Sequence, residues 1–356
     1  MRLPFTGKAD IDEEKSIGII RYAIDHGINY LDLGYPYNVK QHERLTGVFG
    51  KALGDGYRKK VKITANLPLF NVNSTEDCNR LLNEQLRLLQ TDKVDFYLIG
   101  ILDRNTWPRL QEMNILNWAE KTIADNRLGY IGFFLHDYFQ TLRSVIESYD
   151  NWTLCQFQCS YMDADHHPGV TGIKYAADNG LAVVITEPLK YGRLVKNPPE
   201  PIARIWESTQ QTRSSPEWGL RWVWNMAEVS TVVSDMSSIE QVKENIATAE
   251  NAIPDNLSIL DQVVIAKVRD AYRNKRPIWC DACRGCMPCP QNIDVPRIFE
   301  IYNDAIMYDD VETAKFLYSA EQHHIEDCIE CGNCMKTCGR KINILEFLKE
   351  AQQLLA

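Results

Sequence analysis

The sequence predicts an α/β fold, a (β/α)8 barrel followed by a small α-rich domain that carries cysteines. Two observations lead to this prediction. Up to about residue 250, short apolar runs alternate with amphipathic helical segments, which is typical of βα units with parallel strands. Eight of the 11 cysteines then fall in two short runs, at 280–289 and 328–338. We therefore predict a barrel over 1–252, a connecting helix over 253–275 and a cysteine-rich domain over 276–356.

The elements of the barrel follow from local patterns. The segment Asp10-Ile11-Asp12-Glu13 has the form of a capping box that opens a helix running to His26. Seven short apolar strands are predicted, at 28–32, 61–65, 94–99, 130–133, 154–158, 182–186 and 229–234. Helices are predicted between them, at 42–53, 75–90, 107–126, 137–148, 170–179, 216–226 and 238–250. At this chain length so many units indicate a (β/α)8 TIM barrel, whose first strand is then missing or truncated.

Composition excludes several classes of protein. The formal net charge is −9 and no basic, aromatic surface stands out, which argues against nucleic acid as a partner. No apolar run is long enough to span a bilayer, and no signal-peptide pattern is present, which argues against a membrane partner. We therefore expect a cytoplasmic protein, and in a reducing compartment dense cysteines indicate metal ligands rather than disulfides.

The two cysteine runs have spacings that suit iron–sulfur clusters. The first reads C-x2-C-x2-C-x2-C-P and the second C-x2-C-x2-C-x3-C, whereas zinc sites usually use paired C-x2-C arms. The runs resemble those of two-cluster ferredoxins, in which the last cysteine of each run binds the other run's cluster. This resemblance implies two [4Fe-4S] clusters, one on Cys280, Cys283, Cys286 and Cys338, and one on Cys328, Cys331, Cys334 and Cys289.

Small departures from the ferredoxin pattern indicate an enlarged module. The first run is one residue short before its last cysteine, and the second ends in Gly339 where proline is usual. The insert between the runs is predicted to be helical. The other three cysteines, Cys78, Cys155 and Cys159, are predicted to be core residues.

Several stretches resemble, in order, the aldo/keto reductase family, in the branch that carries a C-terminal ferredoxin-type domain. They are NYLDLGYPY, VDFYLIG, YIGFFLHD, LCQFQCSYMD, VVITEPLKYGRL and CDACRGCMPCP. The resemblance implies hydride transfer from NADPH to a carbonyl group. In that chemistry a Tyr is the acid, a Lys lowers the pKa of this Tyr, an Asp pairs with the Lys, and a His orients the carbonyl. The motif NYLDLGYPY makes Asp32 and Tyr37 catalytic candidates.

The other two catalytic positions of the family are changed. Relatives read ATKLP where this chain reads TANLP, so the Lys position is Asn66. Relatives read YLLHG where this chain reads YLIGI, so the His position is Gly100. A buried carboxylate without its cation is costly, so Asp32 is expected to have a raised pKa or a new partner. The nearby lysines Lys59, Lys60 and Lys62 are expected to face solvent.

The resemblance also places cofactor contacts after the last barrel strand. Relatives have a GMS turn there, followed by a helix N-terminus that holds phosphate. This chain reads SDMSS, and Ser237, Gln241 and Asn245 lie at the cofactor-contact positions. Ser237 with Glu240 has the form of a capping box. Asp235 would repel a pyrophosphate, which disfavours NADP(H) and leaves a flavin as an alternative cofactor.

Three functions remain open from the sequence. The first is an iron–sulfur oxidoreductase that passes electrons between the clusters and a small-molecule substrate or second cofactor at the barrel mouth. The second is NADPH-dependent carbonyl reduction, and the third is a non-catalytic electron-transfer or docking protein. A protein electron donor or acceptor is an expected partner. The candidate groups at the mouth are Asp32, Tyr37, His136, Tyr161 and Glu187, and His136 is alternatively a cap of the following helix.

Overall fold

The computed structural model of the protein divides into two compact units. One, the barrel unit, comprises Met1–Tyr191 and Arg213–Leu257, and the other, the cysteine unit, comprises Gly192–Thr212 and Ser258–Ala356. No helix among the described residues is both long and apolar enough to cross a membrane. The structure describes residues 3–6, 10–35, 39–69, 72–166, 168–195, 198–209 and 211–356.

The barrel unit is built on a seven-stranded parallel sheet, preceded by a short antiparallel pair, β1 (Phe5–Thr6) with β2 (Asp10–Ile11). All seven predicted strands are present, and they pair in chain order. This arrangement is TIM-barrel-like. The strands are β3 (Tyr30–Asp32), β4 (Lys62–Pro68), β5 (Val94–Leu102), β6 (Leu128–Leu135), β7 (Leu154–Gln158), β8 (Ala182–Thr186) and β9 (Val229–Val233).

Helices alternate with these strands and then continue alone to the end of the chain. In the first part they are α1 (Glu13–Asp25), α2 (Val39–Ala52), α3 (Thr75–Leu89), α4 (Thr106–Glu112), α5 (Ile115–Ala124), α6 (Phe139–Glu147), α7 (Gly169–Asp178), α8 (Glu200–Glu207), α9 (Ser215–Trp224) and α10 (Ile239–Glu250). In the last part they are α11 (Ile259–Asn274), α12 (Val295–Met307), α13 (Val311–Ala320), α14 (Asn333–Thr337) and α15 (Ile344–Leu355).

The structure corrects two helix predictions. The helix predicted over 107–126 is two helices, α4 and α5, because Asn114 between them adopts a left-handed conformation with φ 54°. The first helix does not use the predicted capping box at Asp10–Glu13. Its N-cap is Asp12, whose side chain accepts a hydrogen bond from the Lys15 N–H at 3.1 Å.

The sheet is open between β3 and β9 in the described part of the chain. A cavity of about 210 Å³ lies there, lined by residues of both strands and of α1 and α10. The sequence predicted a missing or truncated first strand, and the described residues contain none between these two edges. The main core packs the outer face of the sheet against the helices. A smaller apolar cluster from alternate strand positions is formed by Leu98, Phe134, Leu154 and Val184.

The cysteine unit has its own small core, formed mainly by α12, α13 and α15. The predicted connecting helix is α11, and it lies within this unit together with α8. The buried Arg193 pairs with Asp304 of α12, and its Nε lies 3.7 Å from Asp310 Oδ2. This pair fixes the segment around residue 193 against α12.

Candidate functional site

Asp32 lies at the end of β3 and is only 4% exposed. Its Oδ1 accepts a hydrogen bond from the Gly34 N–H at 2.7 Å, and its Oδ2 accepts one from Gln156 Nε2 at 2.7 Å. Burial raises the pKa of Asp32, the negative charge of Asp235 adds to this effect, and the two hydrogen bonds only partly oppose it. Asp32 thus has both the raised pKa and the new partner that the sequence led us to expect.

The new partner, Gln156, was not among the predicted site residues. It lies in β7, 124 positions from Asp32 in the chain, and it is as deeply buried as Asp32. A signal for it was present in the sequence. The strand LCQFQ carries glutamines at alternate positions, and alternate residues of a strand share one face of the sheet. Two polar residues on one face of an otherwise apolar strand indicate that this face of the sheet lines a polar part of the barrel interior.

Asn66, where the sequence resemblance places the family's lysine, is a neutral residue bound to the same loop as Asp32. Its Nδ2 donates to the Gly34 carbonyl at 3.3 Å, and its main-chain carbonyl accepts from Gln85 Nε2 at 2.8 Å. The side-chain Oδ1 is buried without a hydrogen-bond partner. No ammonium group is therefore supplied from this position of β4.

The three lysines near this strand do not replace the missing one. Lys59, Lys60 and Lys62 are all exposed, as predicted. Lys60 pairs with Asp25 at 2.7 Å, and Lys62 pairs with Asp95 at 3.3 Å. Lys62 opens β4 and so lies at the opposite end of the strand from Asn66.

Gly100, where the sequence resemblance places the family's histidine, has no room for a side chain unless its neighbours shift. A Cβ built on this glycine would lie 2.6 Å from the Phe134 carbonyl oxygen and 2.8 Å from the Phe134 Cβ. Phe134 lies in the neighbouring strand β6 and is the register partner of Gly100. The obstacle is therefore mainly the main chain of β6. Histidine is thus sterically excluded here, and not merely absent.

The other predicted catalytic residues have different positions. Tyr37 lies outside the described residues. His136 follows β6 and is exposed, and its main-chain N–H donates to the Leu102 carbonyl at 2.9 Å. The helix-capping alternative for His136 stays a prediction, since the N-cap of α6 is Tyr138 and no side-chain capping hydrogen bond is recorded there among the described residues; the next residue, Asp137, contacts this end of the helix. Its carboxylate accepts from the Tyr138 N–H at 2.8 Å and from the Thr141 hydroxyl at 2.9 Å.

Asp137 also forms an ion pair that the sequence did not reveal. Its Oδ2 accepts from the Arg104 main-chain N–H at 2.7 Å and from Arg104 Nε at 3.1 Å. Burial opposes ionisation, but the Arg104 guanidinium and these N–H groups hold the pKa of Asp137 below its usual value. Asp137, which is 5% exposed, is therefore an ionised counterpart to Asp32.

Tyr161 and Glu187 lie beyond the carboxyl ends of β7 and β8, where a barrel mouth is expected. Tyr161 is buried, and Glu187 has φ 53° and accepts from the Tyr191 N–H at 2.8 Å. In the same loop Lys190 Nζ lies 2.9 Å from Asp163 Oδ1. This mouth therefore contains a polar network of both charges, although the structure brings no hydrogen bond between Asp32 and these two predicted residues.

The predicted cofactor residues lie at the start of α10 and satisfy one another. The Ser237 N–H donates to Gln241 Oε1 at 2.8 Å. The predicted capping box is wrong, since the N-cap is Ser238, whose hydroxyl accepts from the Gln241 N–H at 3.3 Å. Asn245 Nδ2 lies 3.4 Å from the hydroxyl of Ser234. A phosphate at this helix end would have to displace these contacts and approach Asp235.

In the cysteine unit, two cavities are lined by four cysteines or more. Both include Cys286, and each has a cavity volume of about 20 Å³. The first cavity is lined by Cys280, Cys283, Cys286 and Cys338. The second is lined by Cys286, Cys289, Cys328, Cys331 and Cys334. The last cysteine of each run therefore lines the cavity of the other run.

The two runs share one backbone pattern. In both runs the residues before and after the second cysteine have a left-handed backbone conformation. The φ angles are 51° and 59° at Ala282 and Arg284, and 52° and 70° at Glu330 and Gly332. The third residue after the last cysteine is left-handed as well, and its N–H donates to that cysteine's carbonyl at 3.0 Å in both runs. A helix then begins six residues after the last cysteine, at Val295 and at Ile344. The runs thus form two equivalent loops.

Contacts to charged groups and to main-chain N–H groups complete these loops. The Ala282 N–H donates to Cys280 Sγ at 3.4 Å. Arg340, beside the last cysteine of the second run, pairs with Asp281 of the first run, with Nη2 to Oδ1 at 3.0 Å. Among the described residues, no three His, Cys, Asp or Glu side chains lie close enough together to hold a single metal ion.

Comparison with known proteins identifies the barrel. Residues 4–264 match the sequence model of the aldo/keto reductase family. The fold is similar to that of the aldo-keto reductase AKR11C1 from Bacillus halodurans in its holo form, with a TM-score of 0.56, 24% identity, and 72% of this chain and 87% of that one covered. It is also similar to an aldo-keto reductase from Klebsiella pneumoniae in complex with NADPH, with a TM-score of 0.59, 20% identity, and coverage of 72% and 85%.

A curated relative matches over a shorter stretch. The chain is 27% identical over 202 residues to the uncharacterized oxidoreductase YrpG of Bacillus subtilis. This match covers 52% of the chain and 60% of the relative, which is less than two thirds of its length. The family match, in contrast, extends over most of this chain and includes the whole seven-stranded sheet. The chain therefore belongs to the aldo/keto reductase family of oxidoreductases.

Proposed function

We propose that the protein is an iron–sulfur oxidoreductase of the aldo/keto reductase family, in which two [4Fe-4S] clusters exchange electrons with a substrate or second cofactor at the barrel mouth. One observation carries this proposal. The two cysteine runs fold into equivalent loops, and each loop lines a cavity together with the last cysteine of the other run. Such exchange of the fourth ligand is the arrangement known from two-cluster ferredoxins.

The residues around each cavity suit a four-iron cluster better than zinc. A [4Fe-4S] cluster gives each thiolate its own iron, so its ligands stand around a cube, whereas the ligands of zinc converge on one ion. The spacing of the two cysteine runs, C-x2-C-x2-C with a fourth cysteine beyond, suits such a cluster better than the paired C-x2-C arms of zinc sites. Apolar side chains such as Phe299 and Leu348 line the cavities, and the Ala282 N–H donates to a cysteine sulfur. Burial and N–H···S bonds of this kind set cluster potentials, and the bound clusters would supply single electrons.

The barrel residues argue against the ordinary hydride chemistry of the family. A tyrosine with a pKa near 10 is a poor acid at neutral pH unless a nearby cation stabilises its phenolate. Asn66 provides no such cation, and Gly100 has no space for the histidine that would orient a carbonyl. Reduction in this barrel would therefore depend on another source of electrons and another proton donor.

NADPH-dependent carbonyl reduction is the second candidate. It is favoured by the similar fold of the Klebsiella enzyme, which was solved in complex with NADPH. It requires a phosphate near the start of α10, where Gln241 Oε1 and the Ser238 hydroxyl already accept from the N–H groups of Ser237 and Gln241, and where Asp235 carries a negative charge. We therefore rank it below the iron–sulfur proposal.

An anaerobic titration of the purified protein separates the two candidates. The iron content is measured first, and about eight iron atoms per chain are expected for two clusters. NADPH is then added, followed by dithionite, while cluster absorption and bound nucleotide are monitored. Bleaching by dithionite alone supports the iron–sulfur proposal, and a flavin that copurifies with the protein would be its second cofactor. Tight NADPH binding without stoichiometric iron would overturn the proposal in favour of carbonyl reduction.

A further inference from the structure

We propose that Asp32 and Gln156 form a buried proton-holding pair, in which Asp32 is a neutral carboxylic acid at physiological pH and Gln156 is the residue that positions it. This inference goes beyond the proposed function, because it needs neither the clusters nor any cofactor. It assigns to Asp32 a role different from that implied by the family, where the corresponding Asp is the ionised partner of a lysine.

The contacts of Asp32 are the first argument. It is 4% exposed, and Gln156 is 2% exposed, so water contributes little to the solvation of either group. The donors to the carboxyl oxygens are an amide side chain and a main-chain N–H, and both are neutral. A carboxylate in such surroundings gains less than it would from water or from a cation, so the neutral form is favoured.

The carboxamide of Gln156 can serve either form of Asp32. Its Nε2 donates to Oδ2 at 2.7 Å, as an ionised Asp32 requires, and its Oε1 is buried without a hydrogen-bond partner. Turning the amide by half a rotation presents Oε1 to Oδ2, where it accepts a hydrogen bond from the neutral acid. Gln156 therefore lets Asp32 take up or release a proton without leaving a charged atom unpaired.

The charged groups around the pair act on the pKa of Asp32 in opposite directions, because the positive N-terminus of the chain lowers it. On its own strand the titratable neighbour is Tyr30, whose pKa is raised by burial and by Asp32. From the loop after β9, Asp235 acts on Asp32 with a negative charge. In the described part of β4 and β7, the side chains tied to Asp32 or its loop are the neutral Asn66 and Gln156. No cation on these strands is therefore bound to Asp32, and Asp235 disfavours a negative charge there.

Asp137 is a natural control for this inference. It is 5% exposed, so its burial is nearly the same, and it lies in the same unit. Its partner is the Arg104 guanidinium, which holds it ionised. The two aspartates have similar exposure, but they differ in the charge of their partner and in the number of hydrogen-bond donors, which is larger for Asp137.

Infrared spectroscopy of the full-length, iron-loaded protein tests the proposal. Isotope-labelled aspartate identifies the carbonyl band of a neutral aspartic acid, and this band is expected in the wild type at neutral pH. Asp32→Asn should remove the band, and Asp137→Asn should leave it. Gln156→Lys should also remove it, because an ammonium group at this position would ionise Asp32. Absence of the labelled band in the wild type would overturn the proposal, and this measurement needs no variant to fold.

The pH dependence of stability gives a second readout. The pKa of an unfolded Asp is about 3.9, so above this value the folded state with a neutral Asp32 binds more protons than the unfolded state. Stability should therefore decline as the pH rises between about 5 and 8, and Asp32→Asn should abolish this decline. Asp137 should give the opposite pH dependence of stability. Its stabilising contribution is present above the pKa of an unfolded Asp and is lost as the pH falls. An unchanged decline in a folded Asp32→Asn protein would contradict the proposal.

Discussion

The barrel unit and the cysteine unit relate their candidate sites to their cores in different ways. In the barrel, Asp32, Asn66 and Gln156 are polar residues that lie apart from the large apolar core between sheet and helices. In the cysteine unit, Cys280, Cys334 and four further cysteines pack directly against a much smaller core. The site is therefore an addition to the fold in one unit and a part of the fold in the other.

This difference is consistent with changed residues at the barrel site and a complete set of cysteines in the other unit. The barrel belongs to the aldo/keto reductase family and keeps its strand order, although two of the four catalytic positions of that family now hold Asn66 and Gly100. A fold held by apolar burial tolerates the loss of its site. In the cysteine unit the cysteines themselves pack against the core, so under the iron–sulfur proposal loss of the site would also disturb the fold.

Iron removal is expected to give the largest contrast between the units. Under the iron–sulfur proposal, loss of the metal should unfold the cysteine unit and leave the barrel folded, since structural metals contribute on the order of 10 kcal/mol to small domains. Amide hydrogen exchange should show lost protection in α12 and α15, with β4 to β7 unchanged. Retained protection in both helices after complete iron removal would contradict this prediction.

Cys289→Ala sharpens the comparison within the cysteine unit. This residue lines the cavity of the second run, so its loss should release the cluster there and lower the iron content by about half. Alkylation followed by mass spectrometry should then label Cys328 and Cys331. Labelling of the first-run cysteines would show that the ligand exchange is wrong. Cys78→Ala, in the barrel core, is the control and should leave the iron content unchanged.

Gly100→Ala tests whether the barrel site is sterically closed. A Cβ 2.6 Å from the Phe134 carbonyl oxygen should cost about 1–3 kcal/mol in the free energy of unfolding. The matched control is Gly18→Ala in α1, where a Cβ would meet nothing within 4 Å. That change should stabilise by about 0.5–1 kcal/mol, because alanine favours the helix. Urea denaturation of the three proteins measures both values, and equal effects would contradict a steric origin.

Arg340→Ala should have the smallest effect. Arg340 and Asp281 are 63% and 48% exposed, so the pair joining the two runs is screened by water and salt. We expect the melting temperature to fall by less than about 3 °C, and by less still at high salt.

Arg193→Ala, the matched variant, removes a buried partner in the same unit and should lower the free energy of unfolding by about 3–5 kcal/mol. Similar losses for both variants would mean that the exposed pair holds the loops together.

Most of the barrel could be predicted because its elements carry local patterns. Each strand is an apolar run between helices, and all seven predicted strands are found. The break at Asn114 escaped prediction, since the surrounding pattern is helical and only the residue's left-handed conformation interrupts it. The predicted helices did not include α8, whose start contains two prolines. In the structure Pro199 is the N-cap of α8 and Pro201 lies in the first turn, where proline is tolerated.

The site was less predictable because its contacts are long-range. The sequence indicated that Asp32 lacked its usual partner, but Gln156 lies 124 positions away and no local pattern joins them. The resemblance to relatives marked Gly100 as a missing histidine and gave no sign that Phe134 closes the space. Such facts depend on the register of neighbouring strands, which the sequence does not state directly.

The contact between Gly100 and Phe134 also bears on the evolutionary history of the barrel. Any residue other than glycine at position 100 meets the main chain of β6, so a substitution at this position alone does not make room for a histidine side chain. Phe134 is the register partner of both Gly100 and Gln156, so moving it would disturb the residue that holds Asp32. A histidine at position 100 would therefore require neighbouring residues to move as well. A descendant of this chain would regain carbonyl chemistry more readily by recruiting a new side chain elsewhere than by retracing the ancestral step.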